Sequence, residues 1–193
     1  MNRTRIVPED TVVLFADLQA GIADLPMTLS GARLRQGVSG LARLAVIYSL
    51  PAFATVVQTP DGGTPKMLPE IEQALGNINV VQRTTADAFR NETILKEIAA
   101  TGRKTVLISG VATELAVQLP AVTGPEFGYR TFAVIDACGG MSVRTEQAAL
   151  ERMRAAGAQC VCVMTLAGEL AASLASVEGQ KTLPIIFEMA TAG

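Results

Sequence analysis

Residues 104–121 read KTVLISGVATELAVQLPA. An apolar run, KTVLI, leads into small turn residues, and helical spacing then begins at TELAVQL. The stretch reads as a strand-to-helix turn. Enzymes often place a nucleophile at such a turn, because the N–H groups of a helix's first turn can hold a developing negative charge. Residue 116, one turn into the helix, is Ala. From these residues alone the stretch is either a reactive elbow lacking its reactive atom or a connection between core elements.

The same alternation recurs on both sides of it. Apolar runs at 11–16, 52–57, 78–81, 104–109, 130–135 and 159–164 predict six strands. They are continuous rather than alternating in polarity, as in strands covered on both faces. Helix-like segments fall between and after them, at about 31–48, 67–75, 91–101, 113–122, 143–156 and 166–176. Gly76, Gly102 and Gly157 supply stops. Strict alternation of this kind predicts an α/β fold: a doubly wound, mostly parallel six-stranded sheet with helices on both faces. The 193 residues are enough for one domain spanning 1–193.

Composition narrows the function classes. Apolar residues make up 49% and charged residues 18% of the chain. The net charge of −2 comes without a basic cluster, so neither nucleic acid nor an anionic membrane surface is an expected partner. The N-terminus MNRTRIVPEDTVVLFAD has no signal-peptide pattern, and no run approaches the ~18–20 apolar residues of a membrane span. Cys138, Cys160 and Cys162 are too few and too unevenly placed for a disulfide framework. A cytoplasmic location is the default expectation. There is no histidine, which removes the usual general base and the usual metal ligand, and no metal or other cofactor is expected. A dinucleotide or phosphate-binding glycine pattern does not follow the first strand.

In a doubly wound sheet, ligands bind beyond the carboxyl ends of the strands. Asp17, in LFADLQAGI, ends the first strand. Its carboxylate can accept a proton, and a solvated loop residue or helix cap is the alternative. Gln19 follows, placed to orient a substrate or the Asp. Arg83, in VVQRTTADAF, is either a fixed cation at a strand end or a surface charge. Phe89 is a wall of the crevice or part of the core. Thr113 can cap the helix of GVATEL, with Glu114 in its first turn. Cys138, in DACGG, is a packing residue or a substitute nucleophile. The apolar tail KTLPIIFEMATAG can dock on a neighbour, and a homo-oligomer is expected.

Taken together, LFADLQAGI, QRTTADAF, ISGVATELAVQLPA and VIDACGGMS, in this order over about residues 10–165, resemble the isochorismatase-like cysteine hydrolases. LPAFATVVQTP and EQAALERMRAAGAQ match as well, and the likeness is to the YcaC-like branch. The resemblance implies a site of three parts. An Asp takes a thiol proton, a basic residue stabilises the thiolate, and the thiolate attacks an amide or related carbonyl. Carried onto this chain, the Asp is Asp17, the cation is Arg83 and the nucleophile position is Ala116. A methyl group cannot attack a carbonyl, so the family route is expected to be inactive here. The alternatives are a non-catalytic paralogue that binds a small molecule, and a vinyl-ether hydrolase of isochorismatase type, which needs no thiol. The resemblance also implies a cis peptide bond between Val111 and Ala112, with the N–H groups of Ala112 and Ala116 as oxyanion donors and Thr113 beside them. Related proteins form dimers up to octamers.

Overall fold

A computed structural model describes residues 5–25, 27–59, 62–63 and 65–191. Six strands form one sheet: β1 (Thr11–Ala16), β2 (Ala52–Val56), β3 (Asn79–Gln82), β4 (Thr105–Val111), β5 (Arg130–Gly139) and β6 (Gln159–Val161). Every pairing is parallel, in the order β3-β2-β1-β4-β5-β6. Seven helices are described: α1 (Gly31–Ile47), α2 (Pro69–Leu75), α3 (Glu92–Ala100), α4 (Gln118–Thr123), α5 (Val143–Ala155), α6 (Val163–Leu170) and α7 (Val177–Thr191). None of the described helices is long and apolar enough to cross a membrane.

The chain steps outward from β1 to β2 and β3, then returns to the other side of β1 for β4. The strand order therefore reverses between β1 and β4, where such sheets open a crevice. All residues of β1 and β4 are buried. Val13 and Phe15 face a core shared with α1, α6 and α7, through Leu34, Val38, Leu41, Val163, Leu166 and Ile185. Val12 and Leu14 face a second core, built with α3, α4 and α5 from Ile94, Ile98, Val117, Ala121 and Met153. The period of two along each strand thus sorts one apolar run into two layers. Two glycines allow the closest approaches. A Cβ on Gly110 would stand 2.4 Å from the Ala16 carbonyl oxygen, across the β1–β4 pair, and one on Gly37 would stand 1.9 Å from the Asp136 carbonyl oxygen, where α1 crosses β5.

Several boundaries differ from the sequence expectation for physical reasons. β3 is an edge strand whose residues are mostly exposed, although its apolar run predicts burial. β5 extends to Gly139, with its register to β4 shifting between Ile108 and Gly110. β6 is shorter than 159–164: the Cys162 sulfur accepts from the Thr165 N–H and caps α6, so that helix starts at Val163 and ends at Leu170, not at 176. The segment 113–122 opens as a wide π turn over Thr113–Val117 before α4 begins. Ala112, not Thr113, takes the cap position. The tail is a helix, α7, despite Pro184 within it. It docks on its own chain, with Ile185 buried, the Tyr48 and Thr182 hydroxyls 2.9 Å apart, and Glu188 paired to Arg43. Phe187 stays 65% exposed. Of the 59–65 loop, positions 60, 61 and 64 lie outside the described residues, as do tail positions 192 and 193.

Candidate functional site

β1 ends at Ala16 and the chain turns at Asp17, whose φ of 57° is left-handed. Asp tolerates that region better than most residues. The Asp17 N–H donates to the Thr55 carbonyl at 2.9 Å, which ties the turn to β2. The Arg83 N–H donates to the Val56 carbonyl at 2.9 Å and brings the end of β3 alongside. Three adjacent strands thereby place three polar side chains together. The Thr55 hydroxyl donates to Asp17 Oδ1 at 3.2 Å, and Arg83 Nε donates to the Thr55 hydroxyl at 3.4 Å. Arg83 Nη2 donates to Asp17 Oδ2, and Nη1 donates to the Thr85 carbonyl. The side chains of Arg83 and Asp17 are only 1% and 6% exposed. Burial pushes the Asp17 carboxyl above its ordinary value, while the Arg83 charge and the Thr55 hydroxyl pull it down.

Asp17 and Arg83 line a cavity of about 320 Å³ at the β1–β4 reversal. Its other walls include Ile22, Leu25, Val57, Val111, Leu115 and Met141, so the surroundings of the ion pair are predominantly apolar. The size lies at the small end for ligand pockets. Ala112 also lines it, and the peptide bond between Val111 and Ala112 is cis. The loop bearing Met141 is held from the elbow: Glu114 Oε1 accepts from the Met141 N–H at 2.9 Å, and the Thr113 hydroxyl donates to Glu146 at 2.8 Å.

The other residues singled out in the sequence sit around this cavity rather than in its lining. Ala116 is 1% exposed, and its N–H donates to the Ala112 carbonyl at 2.9 Å. Gln19 is fully buried and clamps Val57, donating to its carbonyl at 3.0 Å and accepting from its N–H at 2.8 Å. Phe89 belongs to the second core, stacked on Tyr129 with ring centroids 5.5 Å apart. Thr113 spends its hydroxyl on Glu146. Cys138 is buried, with its sulfur 3.8 Å from the Ile108 carbonyl, and burial first of all pushes its thiol far up. A neutral thiol sealed in the sheet has no nucleophile's character. Sequence reasoning missed Thr55, the one polar side chain in the run AFATVV, which links the acid to the cation. It also missed the apolar walls Ile22, Leu25 and Met141, which carry no polar signature.

A six-stranded parallel sheet with its reversal between β1 and β4, and a cavity at that reversal, defines a doubly wound α/β protein. The chain belongs to the isochorismatase family, whose domain model ("Isochorismatase domain") matches residues 11–165. It is 32% identical over 167 residues to "Probable hydrolase YcaC" of Escherichia coli (strain K12), covering 86% of this chain and 80% of that protein. Two solved structures are similar throughout. YcaC from Pseudomonas aeruginosa, described with hexane-2,5-diol and covalent acrylamide, has a TM-score of 0.86 at 30% identity, over 98% of this chain and 97% of its own. The Escherichia coli YcaC structure, described as an octameric hydrolase of unknown specificity, has a TM-score of 0.86 at 29% identity, over 99% and 97%. MAR1 ribonuclease from Caenorhabditis elegans, at 19% identity and a TM-score of 0.84 over 95% and 93%, shares the fold.

Proposed function

We propose that the cavity over Asp17 and Arg83 receives a small amide or related carbonyl compound, and that this chain holds it without thiol-dependent turnover because Ala116 stands at the nucleophile position. The observation that carries the reading is the buried pair of Asp17 and Arg83 lining an apolar cavity, with Val111, Ala112 and Leu115 of the elbow as one wall and Ala116 behind them. On the family route Asp17 would take a thiol proton and Arg83 would steady the thiolate. Arginine cannot itself lend a proton at neutral pH, so its part is electrostatic. Gln19 and Phe89 contribute by fixing Val57 and the packing behind the elbow, and Ala112 and Thr113 by shaping the elbow itself. A homo-oligomer is part of the proposal, supported by the octameric Escherichia coli relative and by the exposed Leu115, Met141, Val177 and Phe187.

The test is Ala116→Cys treated with iodoacetamide at about pH 6 and read by peptide mass spectrometry. The new thiol should alkylate faster than free cysteine, because Arg83 favours the thiolate. A rate no faster than free cysteine removes the nucleophile seat. A second reading, vinyl-ether hydrolysis, takes the Asp17 carboxyl in the cavity lining as the proton donor, a route that needs no thiol. Its signature is enol-ether hydrolysis by the unmodified chain, abolished by Asp17→Asn.

A further inference from the structure

We infer that the cavity selects an uncharged ligand, a carboxamide on an apolar body of on the order of ten non-hydrogen atoms or fewer, and that Asp17 sets this choice by cancelling the charge of Arg83. The inference rests on the ligand-binding reading above and narrows it. Asp17 and Arg83 are the only titratable side chains among the described lining residues, and they are paired to each other. The floor of the cavity therefore has no net formal charge, and the apolar walls offer none. The size follows from 320 Å³ against the roughly 30 Å³ that a water molecule occupies in the liquid.

The hydrogen-bond inventory gives the head group. A carboxylate has about four acceptor positions. Asp17 uses one for the Thr55 hydroxyl and one for Arg83, which leaves room to accept from a ligand N–H. Arg83 has five N–H donors. Its bonds to Thr55, Thr85 and Asp17 engage three, so donors remain for a ligand carbonyl. A primary carboxamide presents an NH₂ donor group and a carbonyl acceptor, so it can engage both. An ester lacks the donor. A carboxylate would share the single guanidinium with Asp17, and two carboxylates so placed cannot both stay ionised without opposing each other. Its binding must therefore take up a proton. This makes Asp17 a specificity-determining residue, apart from any role as a base, and it stays meaningful in a chain with Ala116.

The experiment measures equilibrium binding to the unmodified chain, by calorimetry, of two matched pairs: benzamide with benzoate, and hexanamide with hexanoate. At pH 7.5 at least one amide should bind about tenfold or more tightly than its acid. Asp17→Asn should invert the ratio, with the carboxylate gaining about tenfold, because Arg83 is then uncompensated. Asn accepts the left-handed backbone at this position, so the variant keeps the turn. Should that variant fail to fold, the unmodified chain decides: carboxylate affinity should strengthen about tenfold per unit fall in pH between 8 and 6, while amide affinity stays flat. Carboxylate binding as tight as amide binding, an unchanged ratio in a folded Asp17→Asn, or no amide binding at about 10 mM overturns the inference. The alkylation of Ala116→Cys reads the nucleophile seat separately. Fast alkylation with the wrong charge preference sinks only the selectivity, and the right preference with a slow thiol sinks only the seat.

Discussion

Replacing Arg83 by Met keeps a long side chain at the end of β3 and deletes the charge. Asp17 is 4% exposed and would be left with the Thr55 hydroxyl as its remaining side-chain partner. Breaking a buried ion pair from one side costs about 3–5 kcal/mol, because the other charge stays buried without compensation. At about 2–4 °C per kcal/mol for a chain of this length, Tm should fall by roughly 10 °C at pH 7.5. The pH dependence has a definite sign. Without Arg83, burial raises the Asp17 carboxyl further above its unfolded value of about 3.9. The folded state then holds that proton more tightly than the unfolded state, so stability declines as pH rises through the raised value and is retained below about pH 4. The deficit relative to the parent should accordingly be large at pH 7.5 and small at pH 4.5. The chain has no tryptophan, so urea unfolding is followed by circular dichroism, at fixed protomer concentration because an oligomer adds its own term. Asp17→Asn in the same background should recover at least half of the loss. A cost below about 1 kcal/mol at pH 7.5, or an equal cost at both pH values, would refute the claim that Arg83 compensates a buried carboxylate.

Two glycines should respond in opposite directions to alanine. Gly37→Ala sets a methyl against the Asp136 carbonyl oxygen and should cost about 3 kcal/mol or more, seen as a fall in Tm or in soluble yield. Gly168→Ala in α6 meets nothing within 4 Å and should raise stability by about 0.5–1 kcal/mol; a loss there would contradict the packing of that helix. Native-state labelling with iodoacetamide at pH 7.5 should modify Cys160 and Cys162, which are partly exposed, well before Cys138. Equal rates for all three would mean that the β5 thiol is accessible and would revive it as a nucleophile.

The layered sheet was legible because both faces of the central strands are covered, and continuous apolar runs are the direct consequence. Edges were harder. β3, NVVQ within the run INVVQ, still lies largely in solvent, because an edge strand is decided by its place in the sheet and not by its own residues. The tail shows the same limit: Thr182 and Ile185 pack against the molecule's own helices, while Phe187, two residues on, points away. In the site, Asp17 and Arg83 were readable as polar residues at strand ends, where the fold gathers its chemistry. That they share one site came from the family resemblance, not from local spacing, since 66 positions separate them; that they hydrogen-bond directly to each other was not readable. Thr55 was hidden for the opposite reason, as a small polar residue inside an apolar run. Gln19 and Phe89 were legible as unusual residues near the crevice, but their partners, Val57 and Tyr129, come from elements the local sequence does not mention.

Asp17 and Arg83 are buried as a pair in a chain that carries Ala116, and a role for the pair has to suit both facts. Stability is a weak one, because a buried ion pair gains little over well-packed apolar residues of similar volume. On the proposed reading, in which Ala116 takes the nucleophile's place, there is no thiol proton for the pair to move. Recognition, unlike proton donation to a vinyl ether by Asp17 alone, uses both side chains together: donor, acceptor and no net charge beside an apolar cavity. On that view the cation and the acid are kept as a pair, neither useful alone. Losing Arg83 should then abolish amide binding, even in Arg83→Met combined with Asp17→Asn, where folding is recovered. Amide affinity that survived in that folded double variant would show that the walls, and not the pair, hold the ligand.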